Sequence, residues 1–248
     1  MSSAASNTSY FVSDLHLCPT RPAIAGLLCD FLANQARRAD ALYILGDLFE
    51  YWAGDDDLAD PFNARICAAL LACSQTVPIH FIAGNRDFLI GASFARASGM
   101  TLLQEPHPAN LAGTPTLLMH GDTLCSDDIA YQNFRSMVRT STWCDDFLAR
   151  PLAARKAQIE ALRRHSEQEK QIKSAAIMDV NADTVAATLR AHGYPRLIHG
   201  HTHRQGQHTH HVDDHACERW VLGDWHDSGN YLSCDASGCR FHALTLPA

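Results

Sequence analysis

The chain has 248 residues, 46% of them hydrophobic, enough for one sizeable core with room for a subdomain. A net charge of −7 and a pI of about 6.1 argue against a nucleic-acid binder, and the longest apolar run, residues 66–73, is far short of the ~20 residues a membrane span needs. Nine cysteines without a CxxC pair read as reduced thiols of a cytosolic protein, and the polar start of the chain lacks the basic and apolar regions of a secretion signal.

Residues 1–8 read as a polar tail. A strand at 10–13 runs into Asp14 and His16. Pro22, at a favoured first-turn position, opens a helix whose stripe Ile24, Leu27, Leu28, Phe31 and Leu32 has helical period and reaches about Ala36. The strand Ala41–Leu45 ends in Gly46 and Asp47, and the loop beyond carries Phe49, Glu50, Tyr51 and Trp52. A helix over Pro61–Ser74 precedes the strand Ile79–Ile82, which ends in Gly84, Asn85, Arg86 and Asp87. This β-α-β-α-β order predicts parallel strands with right-handed crossovers. Three short strands follow, Met100–Leu103, 108–111 and 116–119, the last two turning at Gly113, and the third runs into His120, Gly121 and Asp122.

No strand pattern shows over 124–178, which reads as a helical insertion in a single domain spanning 1–248. Ile129, Tyr131, Phe134 and Val138 make one apolar face; Trp143, Phe147, Leu148 and Leu152 lead into a second helix through Ile159 and Leu162. Residues 134–174 hold nine Lys/Arg and five Asp/Glu, a local charge of +4 that leaves −11 for the remainder. A helix at 183–192 follows. From Leu197 onward the pattern is strand-rich, with strands at 207–212, 219–222, 231–234 and 240–246.

Five strands therefore end in metal-capable side chains: Asp14 with His16, Asp47, Asn85, His120, and His201 with His203. In open α/β sheets, ligands collect at the carboxyl ends of strands. A dinuclear centre needs hard anionic oxygen to bridge and imidazole or amide to fill the other positions. Asp47, beside Gly46 on the central turn, is the natural bridge. Two metals about 3.5–4 Å apart can clamp the attacking and leaving oxygens of a phosphoryl displacement. His199 reads as strand-end packing or as a support behind the ligands. Asp87 and Asp122 read as loop-orienting, Glu50 and Asp55–Asp57 as loop acids and supports behind the ligands, and His208, His210, His211 and His215 as a solvated hairpin. The stripe Ile129, Phe134, Val138 reads as helix packing or as a groove for acyl chains; Phe49, Tyr51 and Trp52 read as core or as part of that groove.

In that order the motifs Asp-x-His, Gly-Asp, Gly-Asn, His-Gly and Gly-His-x-His resemble the calcineurin-like metallophosphoesterases, from Tyr10 to the end of the chain. The resemblance implies an α/β fold, a two-sheet β sandwich flanked by helices. It also implies one metal on Asp14, His16, Asp47 and His203 and another on Asp47, Asn85, His120 and His201. Where the common family form has Gly-Asn-His, this chain has Arg86. An arginine does not give up its proton at neutral pH but grips phosphate with a fixed fork. Arg86 thus points to charge stabilisation and to a phosphate leaving group. With Trp52 and the basic insertion, this motif resembles one branch, the UDP-2,3-diacylglucosamine pyrophosphohydrolases of lipid A biosynthesis. The resemblance implies two Mn²⁺ per chain, attack of water on the α-phosphorus, and release of UMP and 2,3-diacylglucosamine 1-phosphate. The insertion becomes a lid, and substrate contacts fall on Asn85, Arg86, Asp128, Ser166, Lys170, Lys173 and His201. Ser166, Lys170 and Lys173 share one helix face. The expected partners are an acylated UDP-sugar lipid and the cytoplasmic face of the inner membrane, to which the basic insertion draws the protein peripherally. Two readings stay open beside it: another dinuclear phosphoesterase, acting on dinucleoside polyphosphates or phosphoproteins, and a metal-stabilised scaffold without catalysis.

Overall fold

The computed structural model describes residues 7–172 and 179–246; the side chains of 165–172 are outside the described set, as are residues 1–6 of the predicted tail. Two sheets face each other. In the first, β1 (Ser9–Val12), β2 (Ala41–Leu45), β3 (Ile79–Ile82) and β4 (Met100–Leu103) run parallel, and β10 (Gly229–Asp235) and β11 (Gly238–Leu244) extend it antiparallel beyond β1. The second has the order β5 (His107–Leu111), β6 (Thr114–Leu118), β7 (Arg196–His199), β9 (His215–Val221), β8 (Gly206–Val212), with β6, β7 and β9 parallel.

The period-2 alternation of the strands builds three apolar layers. Phe11, Leu45, Ile82, Leu118, Ile198 and Leu232 fill the space between the sheets. Their neighbours Val12, Ile44 and Phe81 point the other way, onto α1 (Pro22–Ala33), α2 (Pro61–Ser74) and α3 (Ala92–Ser98). On the outer face of the second sheet, Leu117 and Leu197 meet Val185 and Leu189 of α7 (Ala182–Ala191). The predicted sandwich flanked by helices is therefore present. Helix α1 stops at Ala33 rather than reaching Ala36, where a short 3₁₀ turn, Ala36–Arg38, takes over. Helix α3 was not anticipated, because seven residues are too few to display a helical period; it ends on Gly99 in the left-handed region.

The insertion forms three helices, α4 (Ile129–Val138), α5 (Ser141–Leu148) and α6 (Leu152–Ile172). Apolar spacing alone predicts one continuous helix across the last two, but Pro151 separates them and its carbonyl accepts from Ala154 N as α6 begins. Helix α6 is bolted to the main body by Arg155, which is 1% exposed. Arg155 Nη1 donates to Ala53 O at 2.5 Å, its Nε donates to Arg150 O at 3.0 Å, and its other nitrogen pairs with Asp56. Gly54 leaves room for this guanidinium; a Cβ there would collide with it. Phe147 of α5, stacked on Trp143, joins the main core.

Cysteine usage needs one correction. Cys234 and Cys239 stand opposite each other across the β10–β11 hairpin, Cα atoms 4.1 Å apart, and are joined by a disulfide, so this pair is not reduced. Hairpin register, invisible to spacing rules for metal sites, brings them together. Among the described residues, no helix is long and apolar enough to cross a membrane.

Candidate metal centre

Parallel β1, β2 and β3 of one sheet and β6 and β7 of the other deliver their carboxyl ends to one edge of the sandwich. The strand ladder continues past the strands themselves: Asp14 N donates to Gly46 O, His16 N to Asp47 O, and Gly200 N to His120 O. To turn side chains inward from these ends, Asp14, His16, Asp47, His201 and His203 all adopt left-handed backbone, with φ of 56°, 48°, 53°, 66° and 58°. Each such residue costs on the order of 1 kcal/mol unless its surroundings impose the conformation. Glycines make the close packing possible: a Cβ at Gly84 would strike the Asp47 carboxylate, and one at Gly200 would strike Ser13 and Asp14.

The seven predicted ligands converge, and they do so as two sets. In the first, His16 Nε2 and His203 Nε2 face each other at 3.3 Å, and Asp14 Oδ1 lies 3.3 Å from His203 Nε2. The other oxygen of Asp14 is occupied, accepting from Ser13 Oγ at 2.5 Å and from His201 N at 2.9 Å, while Oδ1 is buried without a hydrogen bond. In the second set, Asn85 Oδ1 sits 3.0 Å from both His120 Nε2 and His201 Nδ1. Asp47 lies between them, with Oδ2 at 4.0 Å from His16 Nδ1 and Oδ1 at 3.8 Å from His120 Nε2. Asp14, Asp47 and His120 also lie close enough to share an ion, so Asp14 reaches toward both sets.

Electrostatics fit a cationic occupant. Burial pushes the Asp47 carboxyl up to about 7, with Asp87 and Asp14 adding to the effect. Burial alone would depress the His120 imidazole, yet Asp47, Asp14, Asp122 and Glu105 together raise it to about 9. His203 is raised to about 10, because Asp14 and Asp224 outweigh its burial. His16 and His201 go the other way, depressed to about 3 chiefly by burial, and stay neutral as ligands must. Protons on His120 and His203 thus hold the charge that a metal ion would bring. The unpartnered Asp14 Oδ1 and His16 Nδ1, with a donor set of carboxylate, amide and imidazole, fit divalent ions.

The supporting residues are mostly acids. Asp87, fully buried, accepts from the backbone N–H groups of Gly84, Leu48, Asp47 and Phe49 and fixes both loops, as expected. Asp122 accepts from Arg135 Nε at 2.7 Å and from the Tyr131 hydroxyl, tying α4 to the His120 loop; the Tyr131 ring stacks near His201. Glu105 was missed: it accepts from His120 N at 2.7 Å and Gly121 N at 3.1 Å. Asp224, 3.5 Å from His203 Nδ1, was missed too, although it follows a strand and Gly223 as Asp47 follows Gly46. His199 is buried and turned away, with Nε2 3.1 Å from Arg219 Nη1. His208, His211 and His215 lie exposed on the β8–β9 hairpin, and half-buried His210 accepts from Arg219 Nε.

Two cavities lined by described residues open from the predicted ligands. The larger, about 630 Å³, runs beneath α4, α5 and α6 and is lined by Trp52, Phe88, Phe134, Trp143, Ile159 and Leu162 along with Asn85 and Arg86. Phe134 thus faces a groove, and Ile129 is 65% exposed, so this stripe is not simple helix packing. Phe49 belongs to the core, Trp52 to core and groove both, and Tyr51 to the cavity wall. Asp128 caps α4, accepting from Tyr131 N, and borders the groove. Ser166 and Lys170 lie on α6 with side chains outside the described set, and Lys173 lies outside the described residues. Arg163, which the sequence reading passed over, reaches in from α6 to Glu50 Oε1 at 2.5 Å, beside Arg86.

This sandwich, with metal-capable side chains gathered at its strand ends, is that of a metallophosphoesterase, and the calcineurin-like phosphoesterase profile matches residues 8–205: the chain belongs to that family. It is 53% identical to a UDP-2,3-diacylglucosamine hydrolase of Aromatoleum aromaticum, over 93% of this chain and 94% of that one. It is 46% identical to one of Xanthomonas axonopodis pv. citri (96% and 100% covered) and 47% identical to one of Edwardsiella ictaluri (96% and 92%). Among solved structures, a dimetal phosphatase from Danio rerio shares the fold at 14% identity, with a TM-score of 0.51 over 97% of this chain and 99% of that one.

Proposed function

We propose that this protein hydrolyses UDP-2,3-diacylglucosamine, a step of lipid A biosynthesis, by attack of water on the α-phosphorus. The oxygen of water ends on UMP, the bridging oxygen leaves with 2,3-diacylglucosamine 1-phosphate, and the two protons of the water are released to solvent or taken up by the product phosphates. The observation that carries this reading is the apolar groove beneath the three helices, which opens directly onto the convergent ligands. A groove of that size and lining suits acyl chains, and the relatives bear the matching name.

Two divalent ions would be held by Asp14, His16, Asp47 and His203 on one side and by Asp47, Asn85, His120 and His201 on the other; Mn²⁺ suits these donors, and such ions polarise phosphoryl oxygens and ease the ionisation of water. Arg86 and Arg163 stand at the groove mouth as fixed forks for the diphosphate. The departing group is itself a phosphate, so charge stabilisation by Arg86 suffices and no proton donor is needed. Asn85 and His201 complete the phosphate contacts, while Asp128, Ser166, Lys170 and Lys173 bind the sugar head group. Helices α4 to α6 act as the lid. Their exposed Ile129, Phe134, Met137, Leu148 and Leu162, set among basic residues, support peripheral attachment to the cytoplasmic face of the inner membrane.

Turnover in ¹⁸O-labelled water tests the reading. The label is expected in UMP alone, and an unacylated UDP-sugar is expected to react far more slowly. Label in the sugar phosphate, or equal turnover of the unacylated compound, would sink it.

A further inference from the structure

The second cavity, about 600 Å³, shares Tyr51, Arg86 and Arg163 with the groove, together with His16 and His203, but departs from them toward Thr20, Arg21 and Asp224. We propose that it is the nucleotide subsite, receiving the uridine 5′-phosphate half of the diphosphate while the groove receives the acylated half. This rests on the reaction proposed above.

A diphosphate that joins two unlike halves needs two unlike arms meeting at the reacting phosphorus. The shared wall offers the phosphate two guanidinium forks, Arg86 and Arg163. Beyond it the lining changes character. The groove continues mainly as aromatic and aliphatic side chains, Phe88, Phe134, Trp143, Phe147, Ile159 and Leu162, an apolar wall that suits acyl chains better than a uracil ring and ribose hydroxyls. The second arm continues as Arg21, Glu50 and Asp224, and its volume falls within the range of small-molecule sites. Carboxylates accept from ribose hydroxyls, and Tyr51, with the Arg163 guanidinium 5.8 Å over its ring, gives a flat shelf for a pyrimidine. The arm is also held in shape before any ligand arrives. Arg21 Nη1 donates to Trp225 O at 3.0 Å, and Nη2 donates to the carbonyls of Leu15 and His16. Glu50 spans the arginines, with Oε2 3.7 Å from Arg21 and Oε1 2.5 Å from Arg163. Rigid donors lose little entropy on binding.

Cys18 on the wall of this arm, a half-buried free thiol with Sγ 3.2 Å from Thr20 Oγ1, is a built-in reporter. Full-length protein loaded with Mn²⁺ is alkylated with iodoacetamide and Cys18 is followed by peptide mass spectrometry, with UMP or 2,3-diacylglucosamine 1-phosphate present. UMP at about ten times its Kd is expected to slow Cys18 alkylation by about tenfold, and the sugar phosphate to leave the rate unchanged. Thr20→Trp, which fills the arm, is expected to weaken UMP binding by about tenfold or more in calorimetry, with the affinity for the sugar phosphate held. Unprotected Cys18 at saturating UMP, equal protection by both products, or parental UMP affinity in Thr20→Trp overturns the assignment. Should the parent protein release no UMP from UDP-2,3-diacylglucosamine, the proposed reaction falls instead, and Cys18 protection still reports where a nucleotide sits.

Discussion

Asp47 and the imidazoles around it hold opposed demands in one small space. Burial pushes Asp47 up to about 7, while surrounding carboxylates keep protons on His120 and His203 up to about 9 and about 10. Those protons must leave before the nitrogens can ligate, so protons and metal compete. At pH 7 both imidazoles are charged in the metal-free protein, and loading two ions is expected to expel about two protons. The sign follows: each expelled proton strengthens apparent metal affinity by about tenfold per unit rise in pH below these values. Titration of Mn²⁺ in buffers of different ionisation enthalpy checks it; an affinity flat between pH 6 and 8 refutes it. At this scale the sequence was informative where a residue ends a strand within a short motif. All seven predicted ligands have that form. Arg155 does not: it is a helical residue whose partner Ala53 lies 102 positions away, and nothing local marks it. Glu105 does follow a strand, β4, but in no motif with Gly or His that would single it out.

The elements that matter most to the site are the helices of the insertion, because their anchors are the loops that carry the predicted ligands. Helix α4 holds Asp122 through Arg135 and Tyr131, and Arg139 just beyond its end donates to Gly84 O at 2.8 Å while resting on the Phe88 ring. Arg135→Met strips the buried Asp122 of its cationic partner. We expect a loss of about 3 kcal/mol, or a melting point lower by roughly 6–12 °C, together with weaker metal binding as the His120 loop loosens. An unchanged melting point would show that α4 is not anchored this way. Helix period located most of these elements and strand alternation most of the strands. What escaped were the short α3, too brief for a period, and the Pro151 break, since apolar spacing on either side of the proline stays in phase.

Across the whole molecule, charge is divided: residues 134–174 carry +4 and the remainder −11. The acidic body disfavours an anionic bilayer, while the basic insertion is attracted at about 1 kcal/mol per Lys/Arg near the surface. The protein is therefore expected to bind vesicles containing phosphatidylglycerol through that insertion and to be released by high salt. Co-sedimentation measures this, and retention of all the protein on vesicles at 1 M salt, roughly a 3 Å screening length, would contradict it. That charge division and the parallel first half were legible in the sequence. The two-sheet sandwich was legible through the motifs' resemblance to a family, whereas the hairpin register that pairs Cys234 with Cys239 was not, since it depends on a partner chosen only when the chain closes on itself.

The left-handed turns at Asp14, His16, Asp47, His201 and His203 imply a trade between durability and chemistry. Asparagine tolerates such dihedrals better than histidine, and at position 16 it would also remove an orphaned ring nitrogen. His16→Asn should therefore melt above its parent in chelator and below it once manganese is added, a crossover visible in paired thermal scans. A variant that melts lower in both conditions would mean these turns store no tension for the ions to relieve.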